Sequence, residues 1–197
     1  MYPMHEPAPM HEHALSNLRY IREAMERASA FTSIPGWGGV CIGVTALVAT
    51  VFAQHASDRR TWVVIWLTEA VIAAAIAAFT MVRKASRAHV SFRGAAARRF
   101  FVSYFAPVVA AAVLTFFLAR HGFHDALPPT WLLLYGASFV SSGAYSIPVV
   151  PVMGVCFMLL GLIACFVPFA AANVLLGTGF GGLHIIFGVV IARRYGG

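Results

Sequence analysis

The sequence predicts an all-α integral membrane protein, a six-transmembrane-helix bundle with an N-terminal amphipathic interfacial helix. Three observations lead there. Six apolar stretches, each long enough to cross a bilayer, occupy most of the chain. Charged residues make up only 11% of its 197 residues, against about 25% in a soluble domain. The basic residues gather almost entirely on one side of those stretches. Mean hydropathy is +0.79, and so small a share of charge leaves too little polar surface to face water. The formal charge of +7 is local, so it reads as a membrane-surface signal; no nucleic-acid partner is expected.

Residues 1–13 read as a flexible tail on the cytoplasmic side. The tail repeats itself as Pro3-Met4-His5-Glu6 and Pro9-Met10-His11-Glu12, followed by His13. Met and His are copper-ligand types, although a polar tail with a chance repeat is the simpler reading. No apolar signal-peptide core precedes the first span near Trp37, so no cleaved export signal is expected. Residues 14–34 form the amphipathic helix. Leu18, Ile21, Ala24, Met25, Ala28 and Phe31 share one face. The other face pairs Arg19 with Glu23, Arg22 with Glu26, and Glu23 with Arg27 at i,i+4. Such a helix lies on lipid headgroups; the alternative is a dock for a soluble partner on residues 14–31. Ser33-Ile34-Pro35-Gly36 then turns the chain into the bilayer.

The membrane domain, 35–197, divides into spans near 36–53, 61–82, 100–119, 130–150, 153–172 and 175–192. Short connections favour antiparallel neighbours. Pro107 and Pro148 are expected to kink or end their spans. Pro168, Asn173 and the run from Gly177 to Gly182 leave open whether 173–182 is helix or loop. With a cytoplasmic N-terminus, that side holds Arg19, Arg22, Arg27, Arg83, Lys84, Arg87, Arg93, Arg98, Arg99, Arg193 and Arg194. Only Arg59, Arg60 and Arg120 fall on the other side. The positive-inside rule then puts both termini in the cytoplasm, and the small size and minimal loops suggest a bacterial inner membrane. Trp62, Trp66 and Trp131 form an outer aromatic belt. Cys41, Cys156 and Cys165 all lie inside spans, so neither disulfides nor a cysteine zinc site is expected.

Glu69 is the one acid inside a span. It lies about 12 Å from the outer end of its helix, and intramembrane acids are functional candidates. Ala73 and Ala77 continue its stripe. His184, the one histidine inside a span, comes out about 13 Å deep, on a face shared with Gly177, Gly181 and Gly188. A Glu69–His184 pair at one depth would suit a proton relay, half of a metal site, or a pair orienting a nucleophile. The structural alternatives are a hydrogen-bonded packing acid and a satisfied core histidine. Ser138 shares the depth, in Tyr135-Gly136-Ala137-Ser138-Phe139. Gly136-Ala137-Ser138, with His184 on the last span, resembles the rhomboid intramembrane proteases. That resemblance implies a six-helix core with Ser138 as nucleophile and His184 as general base. It covers three short patches, and the chain departs from the family in four respects. Phe139 follows the serine where rhomboids carry Gly. Phe187 stands three residues after the histidine, where they carry Gly. The second helix lacks their His and Asn, and the first outer loop runs only from His55 to Arg60.

His55, Asp58, His121, His124 and Asp125 cluster in the outer loops. By ligand type His55, His121, His124 and Asp125 could hold zinc or copper; the alternative is a polar interfacial loop. Haem is disfavoured, because bis-histidine ligation wants two embedded histidines. Gly39-x-x-x-Gly43 and the Gly177/Gly181/Gly188 strip are close-packing faces, usable inside the monomer or for self-association. No phosphate-binding loop or nucleotide motif is present. The favoured reading is a small non-enzymatic membrane protein: a sensor, accessory subunit or scaffold. The alternatives are an oligomeric transporter or channel using Glu69 and His184 as an ion or proton site, and an intramembrane hydrolase using Ser138 and His184.

Overall fold

A computed structural model describes residues 31–88, 92 and 94–196. The tail with His5, His11 and His13, the surface helix up to residue 30, and Arg93 lie outside the described residues. Among those described there are no strands, and one isolated parallel bridge joins Phe31 to Ser146. Six helices of sixteen residues or more follow in order: α1 Gly36–Gln54, α2 Arg59–Arg87, α3 Ala95–Arg120, α4 Leu127–Gly143, α5 Val149–Ala164 and α6 Phe169–Tyr195. Four of them, α1, α2, α3 and α6, are long and apolar enough to cross a membrane. The other two are shorter, α4 at 17 residues and α5 at 16.

Local chemistry sets the boundaries. Asp58 caps α2, its side chain accepting from the Thr61 backbone N–H at 2.9 Å. α2 runs past residue 82 to Arg87 because Arg83-Lys84-Ala85-Ser86-Arg87 contains no breaker and basic residues suit a helix C-terminus. α4 starts at Leu127 with proline in its first turn, where no N–H is needed. It ends at Gly143, short of residue 150, because Pro148 caps the next helix instead. α5 stops at Ala164, ahead of Pro168. α3 continues through Pro107.

The glycine run of the last span is helical. After a 3₁₀ turn, Phe169–Ala171, and a helical turn, Ala172–Leu176, the residues Gly177–Leu183 form a π-helix that leads into His184–Tyr195. The cause lies in α1. A Cβ at Gly181 would meet the Leu47 side chain at 2.5 Å, and one at Gly177 would meet Thr50 Oγ1 at 2.9 Å. A Cβ at Gly43 would lie 2.6 Å from the Gly181 carbonyl oxygen, and one at Gly188 would lie 2.7 Å from the Val40 nitrogen. The two glycine faces therefore pack against each other within the chain.

α1 sits between α2 and α6. α4 and α5 form a second tight hairpin, in which a Cβ at Gly136 would meet the Gly154 carbonyl at 2.6 Å. α3 packs on α4 and is otherwise peripheral. Trp62, Trp66, Leu132, Phe157 and Leu176 build the main core. At the other end Phe31, Ala97 and Phe100 form a second cluster, and the Phe31 N–H donates to the Tyr145 carbonyl at 2.7 Å. Lys84, the one lysine of the chain, donates to the carbonyls of Ile34 at 2.9 Å, Tyr195 at 3.1 Å, and Gly196. Its three N–H groups thus join the start of α1, α2 and the end of α6.

A methyl group added at Gly43 would meet the Gly181 carbonyl oxygen and the Ile185 side chain, both at 2.6 Å, and the backbone oxygen cannot swing aside. Gly43→Ala should cost about 1–3 kcal/mol, read as a lower unfolding midpoint in detergent. Gly182→Ala, where an added Cβ meets nothing within 4 Å, should leave the midpoint unchanged.

Candidate functional site

His184 begins the last helical segment of α6, and its side chain is 4% exposed. Its ring sits among Tyr135 and Phe139 of α4, Phe157 of α5 and Phe180 of α6, with centroids 5.5–6.4 Å away. Nε2 hydrogen-bonds the Tyr135 hydroxyl at 2.9 Å. Nδ1 has no partner among the described residues. The Tyr104 ring of α3 meets that of Tyr135 edge-on, 6.4 Å between centroids, so aromatic contacts run from α3 through Tyr135 to His184.

Ser138 is fully buried on α4. Its hydroxyl donates to the carbonyl of Tyr135, in its own helix, at 2.6 Å. Ser142 Oγ donates to the Ser138 carbonyl at 2.7 Å. The ring partner of His184 is therefore Tyr135, not Ser138. The Gly136 that opens the Gly-x-Ser motif is required by the close approach of α5.

Glu69 is 6% exposed on α2 and accepts a 2.8 Å hydrogen bond from Thr45 Oγ1 of α1. The same hydroxyl lies 2.9 Å from the Ile42 carbonyl. A hydroxyl has one proton to give. A charged Glu69 takes it from Thr45; a neutral Glu69 donates to Thr45 Oγ, which then turns to Ile42. Both states are satisfied. Glu69 thus bonds to α1 while His184 bonds to α4, and the two are not partners.

The loop residues His55, His121, His124 and Asp125 also stand apart. His55 Nδ1 bonds the Val51 carbonyl at 2.8 Å and His124 Nδ1 the Gly122 carbonyl at 3.1 Å. His121 packs on Phe117 with centroids 4.5 Å apart. Asp125 pairs with Arg59 at 3.3 Å. Among the described residues no three His, Cys, Asp or Glu side chains converge on one metal position.

A cluster that the sequence reading passed over lies where the end of α1 meets the starts of α2 and α6. Trp62 Nε1 donates to Asn173 Oδ1 at 2.7 Å, and Trp66 Nε1 approaches the same oxygen at 3.4 Å. Trp62 stacks on Trp131 of α4, 5.5 Å between centroids and 3° from parallel, and meets Phe169 edge-on. Trp131 Nε1 donates to Thr115 Oγ1 of α3 at 2.8 Å. The Arg59 guanidinium carbon sits 3.4 Å from the centre of the Phe169 ring, a cation–π contact. Beside this cluster opens a cleft of about 540 Å³, lined in part by Gln54, Asp58, Arg59, Trp62, Phe169 and Asn173. Asn173, the only asparagine of the membrane domain, was the available signal. Indoles close to it in the fold need an acceptor.

No family model matches the chain, and no curated protein or solved structure matches it.

Tyr135→Phe removes the hydroxyl that partners Nε2 of a buried imidazole. The expected loss is about 1–2 kcal/mol, above the ~0.6 kcal/mol average of interhelical bonds in membranes. Ser138→Ala removes only a bond within one helical turn and should stay within about 0.5 kcal/mol. Equilibrium unfolding of the two variants compares them. At the mouth of the cleft, the Thr61 backbone N–H and the hydroxyls of Thr61 and Ser57 hold the Asp58 carboxyl below its ordinary value. Because the folded value is the lower one, this cap is at full strength above the ordinary carboxylate range, about 3.9. It is lost as pH falls through the folded value. Protection of the Thr61 amide from hydrogen exchange should therefore drop in acid, and Asp58→Asn, an uncharged cap, should abolish that drop.

Proposed function

We propose that the chain is a six-span integral membrane protein of a bacterial inner membrane, with both ends on the cytoplasmic side. We further propose that it works without catalysis, as a sensor, accessory subunit or scaffold. One observation carries the second part. The three side chains that an intramembrane enzyme or ion-coupled site would share each hold a separate structural bond. Ser138 bonds within α4, His184 bonds to α4, and Glu69 bonds to α1. In hydrocarbon a polar side chain without a partner is costly. These bonds therefore support a packing role for each residue.

The span count rests on length and chain direction. At 1.5 Å per residue, 17 and 16 residues reach about 24–26 Å, a few ångströms short of a hydrocarbon core of about 30 Å. Local thinning accommodates such a deficit at modest cost. The lipid-facing reading is supported by apolar residues such as Val71, Phe79, Val102 and Phe116, which are all exposed on α2 and α3. Orientation rests on the basic residues, most of which lie beside the ends of α2, α3 and α6 that face Lys84.

A second reading, a proton or ion site, is favoured by Glu69, which is satisfied in both protonation states. Glu69→Gln separates the two: proton flux into vesicles is unchanged for a scaffold and abolished for a transporter. A fluorophosphonate probe should leave Ser138 unlabelled; labelling that disappears in His184→Ala would establish the hydrolase instead. For topology, His55→Cys should react with a membrane-impermeant thiol reagent from outside in a background without the native cysteines. Ser86→Cys should react only after permeabilisation.

A further inference from the structure

We propose that the outer cleft binds one zwitterionic phosphoethanolamine group per chain, the headgroup of a phosphatidylethanolamine lipid or its free equivalent. This rests on the six-span reading, which places the cleft at the level of the outer headgroups. The volume, about 540 Å³, lies in the range of small-molecule sites, about 300–1,000 Å³.

The polar groups in the cleft have fixed senses. An amide oxygen and nitrogen are hard to tell apart by shape, but indole N–H groups only donate. Two indoles point at one atom of the Asn173 amide, so that atom is the oxygen. The NH₂ of Asn173 is left as a donor in the cleft wall. Arg59 supplies the cation. Its face lies over the Phe169 ring and its Nη2 meets Asp125, which leaves further N–H groups among the five donors of a guanidinium. A phosphate oxygen suits both groups, and guanidinium–phosphate bonds are among the stronger charge-assisted kind.

Charge balance selects the rest of the ligand. The lining residues carry one cation, Arg59, and one anion, Asp58, and Asp125 against Arg59 brings a second carboxylate to the rim. A pure anion would meet the Asp58 carboxylate as a repulsion. A zwitterion places its ammonium there. Asp58 Oδ1 accepts from the Thr61 N–H, and Oδ2 accepts from Ser57 and Thr61. The carboxylate stands at the surface of the cleft and attracts a primary ammonium, whose N–H groups can share its acceptor positions. A trimethylammonium group has no N–H to give. Trp62 and Phe169 line the apolar side. Val174 continues it as an exposed residue down α6, the direction an acyl chain would take.

The test is native mass spectrometry of the purified full-length protein, titrated with phosphatidylethanolamine, phosphatidylglycerol, phosphatidylcholine and free phosphoethanolamine. One phosphatidylethanolamine should be retained, with the other two lipids at least about tenfold weaker, the worth of one charged hydrogen bond. Asn173→Asp keeps the oxygen that holds both indoles and replaces the free donor with an acceptor. Arg59→Gln removes the cation. Each should weaken phosphatidylethanolamine at least about tenfold with the helical circular dichroism intact. If Asn173→Asp unfolds, Arg59→Gln decides. Binding of free phosphoethanolamine that displaces the lipid would make the soluble compound the ligand; binding of the lipid alone would make it the membrane. Equal retention of all three lipids, or variants that hold phosphatidylethanolamine as the wild type does, would overturn the proposal. Failure of His55→Cys to react from outside would sink the topology whatever the lipid result. Outside labelling without lipid selectivity would sink only this site.

Discussion

The close approach of α1 and α6 is the contact on which the rest depends. Glycines on both sides let the two backbones approach, and the side chains of Leu47, Thr50 and Ile185 fill the space beside them. In the proposed membrane setting the hydrophobic effect supplies little drive between helices, so close van der Waals packing would do the holding. That packing fixes α6 in depth and rotation, and with it His184, Asn173 and the π-helical turn. α1 in turn carries Thr45 to Glu69. A small error at this seam would move the polar groups of both ends at once.

Several polar side chains inside the bundle pair across helices: Thr45 with Glu69, Tyr135 with His184, Trp131 with Thr115. Residues that look like a catalytic set when aligned by depth are distributed over different helix pairs. Shared depth places residues on one plane of the bilayer, and several helix faces lie in any such plane. The histidine in particular is held inside a ring of aromatic side chains, where a tyrosine hydroxyl is the group within reach.

Sequence reasoning reached the helical class and the long apolar helices, because hydrophobic run length is a one-dimensional property. It also picked out the residues that are buried and polar, Glu69, Ser138 and His184, since a polar residue in an apolar run stands out. The partners were not legible. Thr45 and Tyr135 lie 24 and 49 residues from the groups they bind, and nothing local marks them. The glycine run was read as helix or loop, and only the position of α1 decides it, through contacts more than a hundred residues away. The cleft was missed for the same reason: Trp62, Phe169 and Asn173 become one surface only after α2 and α6 have packed.

The seam also sets an order of events during synthesis. Gly43 leaves the ribosome long before Gly181, its partner across the contact. At about 5–20 residues per second, the roughly 140 residues between them take about 7–30 s. For that interval the notched face of the first helix has no mate within the chain, and α2 alone can shelter it. Insertion machinery or a chaperone that shields small-residue faces would have its longest task here. A ribosome stalled before α6 would release a chain whose first helix is exposed to any other helix with a matching row of small residues.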